Sequence, residues 1–514
     1  MAIKLITFGC RLNTYESEVI KTFLQENEDL KDKDITIFNS CTVTAEAEKQ
    51  LRQAIRKERR ENPDAIIGVV GCAVQTNGEV YENMDEVDFI FGNLDKMKKN
   101  NYELLIPLIK ELENSHKCKC IGKCKCKHDE EHECHCHDGE DNNECKCGHN
   151  HEYGEHECTC GHHHHNDEEC SCGHHHEDDC DDDCCCDEED EEEDEIIAHK
   201  SPIKSLNFDS EETSKKPILI SNILELHELA PQLITGFEEK TRGFIQIQTG
   251  CDNHCTFCAT RLARGRSVSI PSNRVIEQIN KLVENGYNEI VLTGIDITDY
   301  GKRLNEDINL GKLMKKILKE TDLPRLRLSS LDIADVNDDL KDVLFNEERV
   351  MPHIHISLQS GDNTILKRMA RRHNREQVID FCNEIKKYRK NIAIGADLIA
   401  GFPTETEAMH KNSYNLIEEI GLVFGHIFPY SVRENTPASL MEQVPMETRR
   451  RRAKELRAIS QIQLEDFTKE QSKFTHKVLI ENETTGRTEN YLTVKLHDGI
   501  LKNHKIGDIV ELKF

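Results

Sequence analysis

Cys251, Cys255 and Cys258 fall within eight residues, spaced Cys-x3-Cys-x2-Cys, directly after the run FIQIQT that ends at Thr249. A strand followed by three thiols on one loop can grip an inorganic centre. A structural zinc ion takes four protein ligands, and no fourth cysteine lies close by. Three thiolates suit a [4Fe-4S] cluster whose fourth iron stays open. A zinc knuckle with a distant fourth ligand is the competing reading.

A second trio is spread along the first hundred residues. Cys10, Cys41 and Cys72 are 31 residues apart each time, and each follows a short β-branched or aromatic run, Ile3–Phe8, Ile35–Asn39 and Ile66–Val70. That interval is about one βαβ unit. In a doubly wound sheet, ligands gather outside the carboxyl ends of the strands, near the reversal of strand order. Three strand-end cysteines can therefore converge on a shared cluster, although each alone would read as an inert buried thiol. Cys382, in a helical stretch, reads as a core thiol.

Composition bounds the rest. A chain of 514 residues is long enough for roughly three domains. Acidic residues outnumber basic ones 96 to 67, but 29 of the acidic residues fall between His116 and Glu195. Overall charge therefore excludes no nucleic-acid partner, since local patches decide that. The same segment holds 16 of the 23 cysteines, many as Cys-x-Cys pairs such as Cys118/Cys120 and Cys158/Cys160, beside the runs His162–His165 and His174–His176. Too polar to form a core, it is expected to be disordered without metal. Its thiols and imidazoles could hold Zn, Ni or Cu. Neither a signal peptide nor a run of ~20 apolar residues is evident. A cytoplasmic protein without a membrane partner is expected, and there clustered cysteines bind metal more often than they pair.

The elements that must position the two trios follow from periodicity. Glu16–Glu26 and Ala45–Arg60 read as helices between the first strands. The linker 206–235 contains one helical stretch, Asn222–Leu233. From Gly243 onward, strand runs (FIQIQ, EIVLTG, RLRLSSL, IHISLQ, IAIGADLIAGF, GHIFPY) alternate with helices at Ser272–Asn285, Leu310–Lys319, Asn374–Lys387 and Glu405–Glu419. This alternation predicts a partial parallel (β/α) barrel with its chemistry at the carboxyl ends of the strands. An arginine-rich helix follows Pro445, and KVLIENE, ENYLTVKL and DIVELKF form a small β module. The fold class is α/β: a doubly wound domain (1–115), an insertion (116–205), the linker, a barrel (236–465) and a C-terminal β module (466–514).

The cysteine spacing, with Phe257 before the last thiol, resembles the radical S-adenosylmethionine family. FGCRLN at Phe8–Asn13, NSCTVT at Asn39–Thr44, GCAVQ at Gly71–Gln75, ARGRS at Ala263–Ser267, SLQSGD at Ser357–Asp362 and GADLIAGFPTET at Gly395–Thr406 are similar to the methylthiotransferases within it. GRTENYLTVKL at Gly486–Leu496 resembles their RNA-binding TRAM domain. FGCRLN and HISLQSGD look closest to the enzymes acting on N6-threonylcarbamoyladenosine in tRNA; other branches carry different residues after the first Gly-Cys. The insertion is foreign to the pattern, and Cys258-Ala259-Thr260 lacks the Ile-Pro-aromatic sequence usual there.

The resemblance implies two [4Fe-4S] clusters, one on Cys251, Cys255 and Cys258 and an auxiliary one on Cys10, Cys41 and Cys72. S-adenosylmethionine would yield a 5′-deoxyadenosyl radical at the first, and a methylthio group would pass from the second to C2 of an adenine at tRNA position 37. An aromatic C–H is not acidic enough for a side-chain base, so the cofactors must supply the reactive species. An electron donor such as flavodoxin or ferredoxin and a source of sulfur are implied partners. Phe257, Gly294, Ser329, Gln359 and Asp397 are candidate S-adenosylmethionine contacts, with Phe402 near the adenine. Arg450, Arg452 and Arg457, with Arg368, Arg371 and Arg372, are candidate RNA contacts. His353 and His355 read as packing residues. The same chemistry on isopentenyladenosine tRNA or a ribosomal-protein aspartate, or metal storage by the insertion, are the alternatives.

Overall fold

The computed structural model describes residues 3–115 except Val43, then 216–226, 229, 234–237, and 241–514 except Asp498. The expected metal-holding insertion lies outside the described residues.

Five parallel strands form the first sheet: β1 (Ile3–Thr7), β2 (Ile35–Ser40), β3 (Ile66–Gly71), β4 (Phe89–Phe91) and β5 (Ile218–Leu219), in sequential order. Register explains how the cysteines gather. Ile3 lies opposite Ile35, and Ile35 opposite Ile66, so three runs of similar length end in one row. Strand order does not reverse in this sheet; the trio sits at the ends of three neighbouring strands. Helix α1 (Arg11–Gln25) starts directly after Cys10, α2 (Ala45–Glu61) is capped by the Thr44 hydroxyl, and α3 (Cys72–Glu82) starts at the third cysteine. α4 (Leu105–Ser115) follows.

The linker differs from its sequence reading. Its Ile218 and Leu219 pair with Ile90 and Phe91 as β5. Of the expected helix Asn222–Leu233, the described residues contain one 3-10 turn, Ile223–Glu225, capped by Asn222.

The barrel consists of two parallel sheets. One has the order β10-β9-β6, from β6 (Arg242–Gln246), β9 (Glu289–Thr293) and β10 (Arg325–Leu328). The other runs β11 (Ser330–Leu331), β12 (His353–Gln359), β13 (Ala393–Ala400) and β14 (Leu422–Pro429). Between β6 and β9, β7 (Gln248–Thr249) pairs antiparallel with β8 (Val268–Ser269). This ribbon clamps both ends of the loop carrying the second cysteine trio, and the short helix α5 (Thr260–Arg264) lies within that loop. α6 (Ser272–Glu284), α7 (Leu310–Glu320), α8 (Asp338–Asn346), α9 (Asn363–Arg368), α10 (Arg375–Tyr388) and α11 (Glu407–Ile420) connect the strands, and α12 (Met446–Gln471) packs on β14. No helix among the described residues is long and apolar enough to cross a membrane.

The C-terminal module is an antiparallel sheet in the order β17-β16-β15-β18, from β15 (His476–Ile480), β16 (Thr485–Thr488), β17 (Thr493–Lys495) and β18 (Ile509–Leu512). A buried ion group joins it to the barrel. Glu289, fully buried on β9, pairs with Arg327 at 2.9 Å and Arg325 at 3.4 Å. These arginines also donate to the backbone oxygens of Lys477 and Glu489. Burial would raise the Glu289 carboxyl, but Arg327 and its neighbours hold it at about 2.

Because the folded value is depressed, this stabilisation is complete above the ordinary value of 4.5 and is lost as pH falls through about 2. Glu289→Gln is expected to cost about 3–5 kcal/mol by leaving guanidiniums unpaired. Urea unfolding at pH 7 and pH 3 checks both: the difference between wild type and variant should shrink at the lower pH.

Candidate functional site

The structure gathers the seven described cysteines into two groups plus Cys382. In the first group, the Cys41 side chain lies against Gly9, which precedes Cys10. A Cβ on Gly9 would fall 2.7 Å from the Cys41 sulfur, and Gly9 has φ +95°, so glycine is required twice over. Asn13 ties these ends together, donating to the oxygens of Phe8 at 2.7 Å and Ser40 at 2.9 Å. The Cys72 sulfur accepts from Asn93 at 3.4 Å and from Arg264 Nε at 3.2 Å.

In the second group, the backbone N–H of Asn253 points at the Cys251 sulfur and that of Thr260 at the Cys258 sulfur, both at 3.4 Å. Arg371 donates to the Cys255 sulfur at 3.4 Å and to Asp332 at 3.1 Å. Burial, then Asp296, pushes the Cys251 thiol up to about 12. Burial also raises the Cys255 thiol, with Arg371 opposing it. The metal-free Cys251 and Cys255 thiols are therefore neutral near pH 7, and a bound metal would displace their protons.

Arg264 joins the two groups. It closes α5, whose first residue Thr260 touches Cys258, and its buried guanidinium reaches Cys72, Asn13 and Glu16. Glu16 also accepts from Lys96 at 2.7 Å. Burial alone would raise the Glu16 carboxyl, but Arg264 and Lys96 hold it below its ordinary value. Two buried cations facing one carboxylate leave a positive charge over. Thiolates holding an iron–sulfur centre would balance it, so this donor set fits such a group. At the barrel trio, the buried Ser329 Oγ, Thr293 Oγ1 and Arg371 Nε have no partner among the described residues, as expected of a place that receives a polar ligand.

Residues 245–417 match the Radical SAM superfamily, and residues 2–92 match the Uncharacterized protein family UPF0004. The threonylcarbamoyladenosine tRNA methylthiotransferase MtaB of Rickettsia prowazekii is 37% identical over 96% of this chain and 91% of its own. The chain belongs to the radical S-adenosylmethionine methylthiotransferase family. The MtaB of Bacillus subtilis is 28% identical over 99% of this chain and 92% of its own. Among solved structures, the radical S-adenosylmethionine methyltransferase TsrM of Kitasatospora setae aligns with a TM-score of 0.49 at 11% identity, covering 85% of this chain and 77% of that one. As a methylthiotransferase of this family, the protein is a tRNA-modifying enzyme that uses S-adenosylmethionine and [4Fe-4S] chemistry.

The other residues expected to matter in this methylthiotransferase are placed unevenly. Gln359 ends β12 with φ +69°, beside a break in register; such strain aims a side chain and collects at functional sites. Ser329 sits between β10 and β11. Gly294 is demanded by Gln248, whose side-chain oxygen lies 2.8 Å from where a Cβ would be. The Asp397 carboxylate faces His355 at 3.2 Å and His426 at 3.5 Å, and these imidazoles hold it well below its usual range against burial. Phe257 packs edge-on against Phe402, which is fully buried in the core; a ring so enclosed does not meet an adenine.

Two RNA candidates need correction. Arg452 is buried and paired with Glu405 at 2.9 Å and Glu407 at 3.1 Å, because it shares the inner helix face with Arg449, Ala453 and Leu456. Arg371 serves Cys255 instead. Arg450 and Arg457 are exposed, although Arg457 donates to the Ile427 oxygen at 2.9 Å. Arg264, Glu16, Lys96 and His426 were not singled out from sequence; the ARGRS motif was the one available signal.

Gly9→Ala should displace Cys41 and cost about 1–3 kcal/mol. In the iron-free chain, thermal unfolding should occur at a lower temperature. Peptide mapping after alkylation should show faster labelling of Cys41, which is 7% exposed in the native chain.

Proposed function

We propose that the enzyme installs a methylthio group at C2 of N6-threonylcarbamoyladenosine 37 in tRNA, with one [4Fe-4S] cluster on Cys251, Cys255 and Cys258 and another on Cys10, Cys41 and Cys72. The observation that carries this is the span of α5. It runs from the Cys258 sulfur contact to the Arg264–Cys72 contact in five residues, a helix about 7.5 Å long. Two thiol trios bridged by one five-residue helix and a single arginine side chain can serve one substrate held between them. The relatives named for threonylcarbamoyladenosine support the choice of nucleoside.

When bound, the two clusters and S-adenosylmethionine supply the radical and sulfur chemistry that an unactivated aromatic C–H requires. The chain contributes position and charge. Arg371 stabilises the Cys255 thiolate while Asp332 holds the arginine in place. Arg264 does the same for Cys72, with Glu16 and Lys96 fixing its guanidinium. Ser329, Thr293 and Gln359 offer polar atoms to the cofactor from strand ends, and the apolar cluster of Phe257, Phe402 and Tyr430 excludes water. The C-terminal module, with Arg450 and Arg457, meets RNA. Electrons come from a donor such as flavodoxin or ferredoxin, and sulfur from a separate source.

Anaerobic reconstitution of a chain lacking residues 116–195, whose thiols bind iron adventitiously, should give about eight irons per chain. Cys255→Ala and Cys41→Ala should each give about four. Cys255→Ala should abolish 5′-deoxyadenosine formation, whereas Cys41→Ala should retain it and lose only the methylthiolated product. An unchanged level of 2-methylthio-threonylcarbamoyladenosine in tRNA from a deletion strain, measured by mass spectrometry, would exclude the proposed nucleoside.

A further inference from the structure

Arg11 follows Cys10 and opens α1, yet its side chain leaves the first sheet and ends inside the barrel. There it donates to the Tyr491 hydroxyl at 3.1 Å, its one hydrogen-bond acceptor among the described residues. Tyr491 comes from the C-terminal module and is held at φ +78°. Its ring stacks on His353 at 4.4 Å, and Arg11, Arg242, Arg327 and Arg487 surround it. Carboxylates are fewer than guanidiniums here. Glu289 is shared by Arg325 and Arg327, and Glu481 by Arg242 and Arg487. Arg11 has no carboxylate among the described residues. The excess positive charge registers on Tyr491: against the upward push of burial, Arg11, Arg242 and Arg487 pull its hydroxyl down to about 8. Burial, then Arg327, His355, Arg11 and His426, hold the His353 imidazole well below its ordinary value, which places Arg11 near the strands that line the barrel interior.

A largely enclosed guanidinium with only a phenol for company is an unfavourable arrangement unless an anion arrives. On the reading given above, the substrate brings one. A threonylcarbamoyl group ends in a free carboxylate, which a guanidinium fork can hold through two parallel hydrogen bonds. We propose that Arg11 is the specificity-determining residue of this enzyme, receiving the carboxylate of the threonylcarbamoyl group when it leaves the Tyr491 hydroxyl. The residue next to a sulfur ligand thus reads the far end of the modified base, and Tyr491 keeps the guanidinium in place until the substrate enters.

The test measures binding of the full-length reconstituted protein to two anticodon stem-loop RNAs, one carrying threonylcarbamoyladenosine and the other its methyl ester. Fluorescence anisotropy, with and without S-adenosylmethionine, gives the affinities. Wild type should prefer the acid by about tenfold or more, Arg11→Met should bind both RNAs with the ester's affinity, and Arg11→Lys should keep part of the preference. An Arg11→Met variant with normal iron content that retains the full preference overturns the proposal. So does an equal loss of affinity for both RNAs, which would mean that Arg11 meets a phosphate. If Arg11→Met does not load iron, Tyr491→Phe decides: it should tighten acid binding and leave ester binding unchanged, and no change in either overturns the proposal. Wild type that does not distinguish the modified stem-loop from an unmodified one refutes the nucleoside reading itself.

Discussion

Glu16 is approached by two buried cations from distant parts of the chain, Lys96 beyond β4 and Arg264 at the end of the barrel's cysteine loop. A lone carboxylate at that depth would be protonated or displaced, and either cation alone would be costly. Together they lock the sheet of strand-end cysteines against the loop that carries the other three. The relation between the two trios is therefore fixed by an ion group together with the packing of α3 on α5. The leftover positive charge makes that junction suited to thiolate-bound metal.

The same device recurs at the other end of the barrel. Glu289 with Arg325 and Arg327 holds the C-terminal module, and Tyr491 enters the barrel beside it. Buried carboxylates matched to arginines thus fasten the first sheet and the last sheet to the central barrel. Where the match is incomplete, at Arg264 and at Arg11, positive charge is left over beside Cys72 and beside Tyr491.

Much of this was legible locally. The β-branched runs before Cys10, Cys41 and Cys72 became β1, β2 and β3, with β2 and β3 fully buried and β1 at the sheet edge, and their equal spacing set a common register. The loop after FIQIQT kept its three thiols together because they are close in sequence. Contacts made across the fold were not legible. Nothing near Arg264 indicates that it reaches Glu16, and nothing near Arg452 says which face of α12 turns inward; an arginine run reads as exposed until its helical phase is known. Nor was it legible that Ile218 and Leu219, just before the expected helix Asn222–Leu233, pair as β5 with β4, a partner more than a hundred residues earlier.

That late pairing has a consequence for synthesis. β4 is an open edge until Ile218 and Leu219 have left the ribosome, and translation from Phe91 to that point takes about 6–25 s at 5–20 residues per second. Throughout this interval the nascent sheet exposes unpaired backbone groups, the usual template for misassociation. Arg264 emerges later still, so the balanced Glu16–Lys96 pair is made before the guanidinium that ties this sheet to the barrel's cysteine loop.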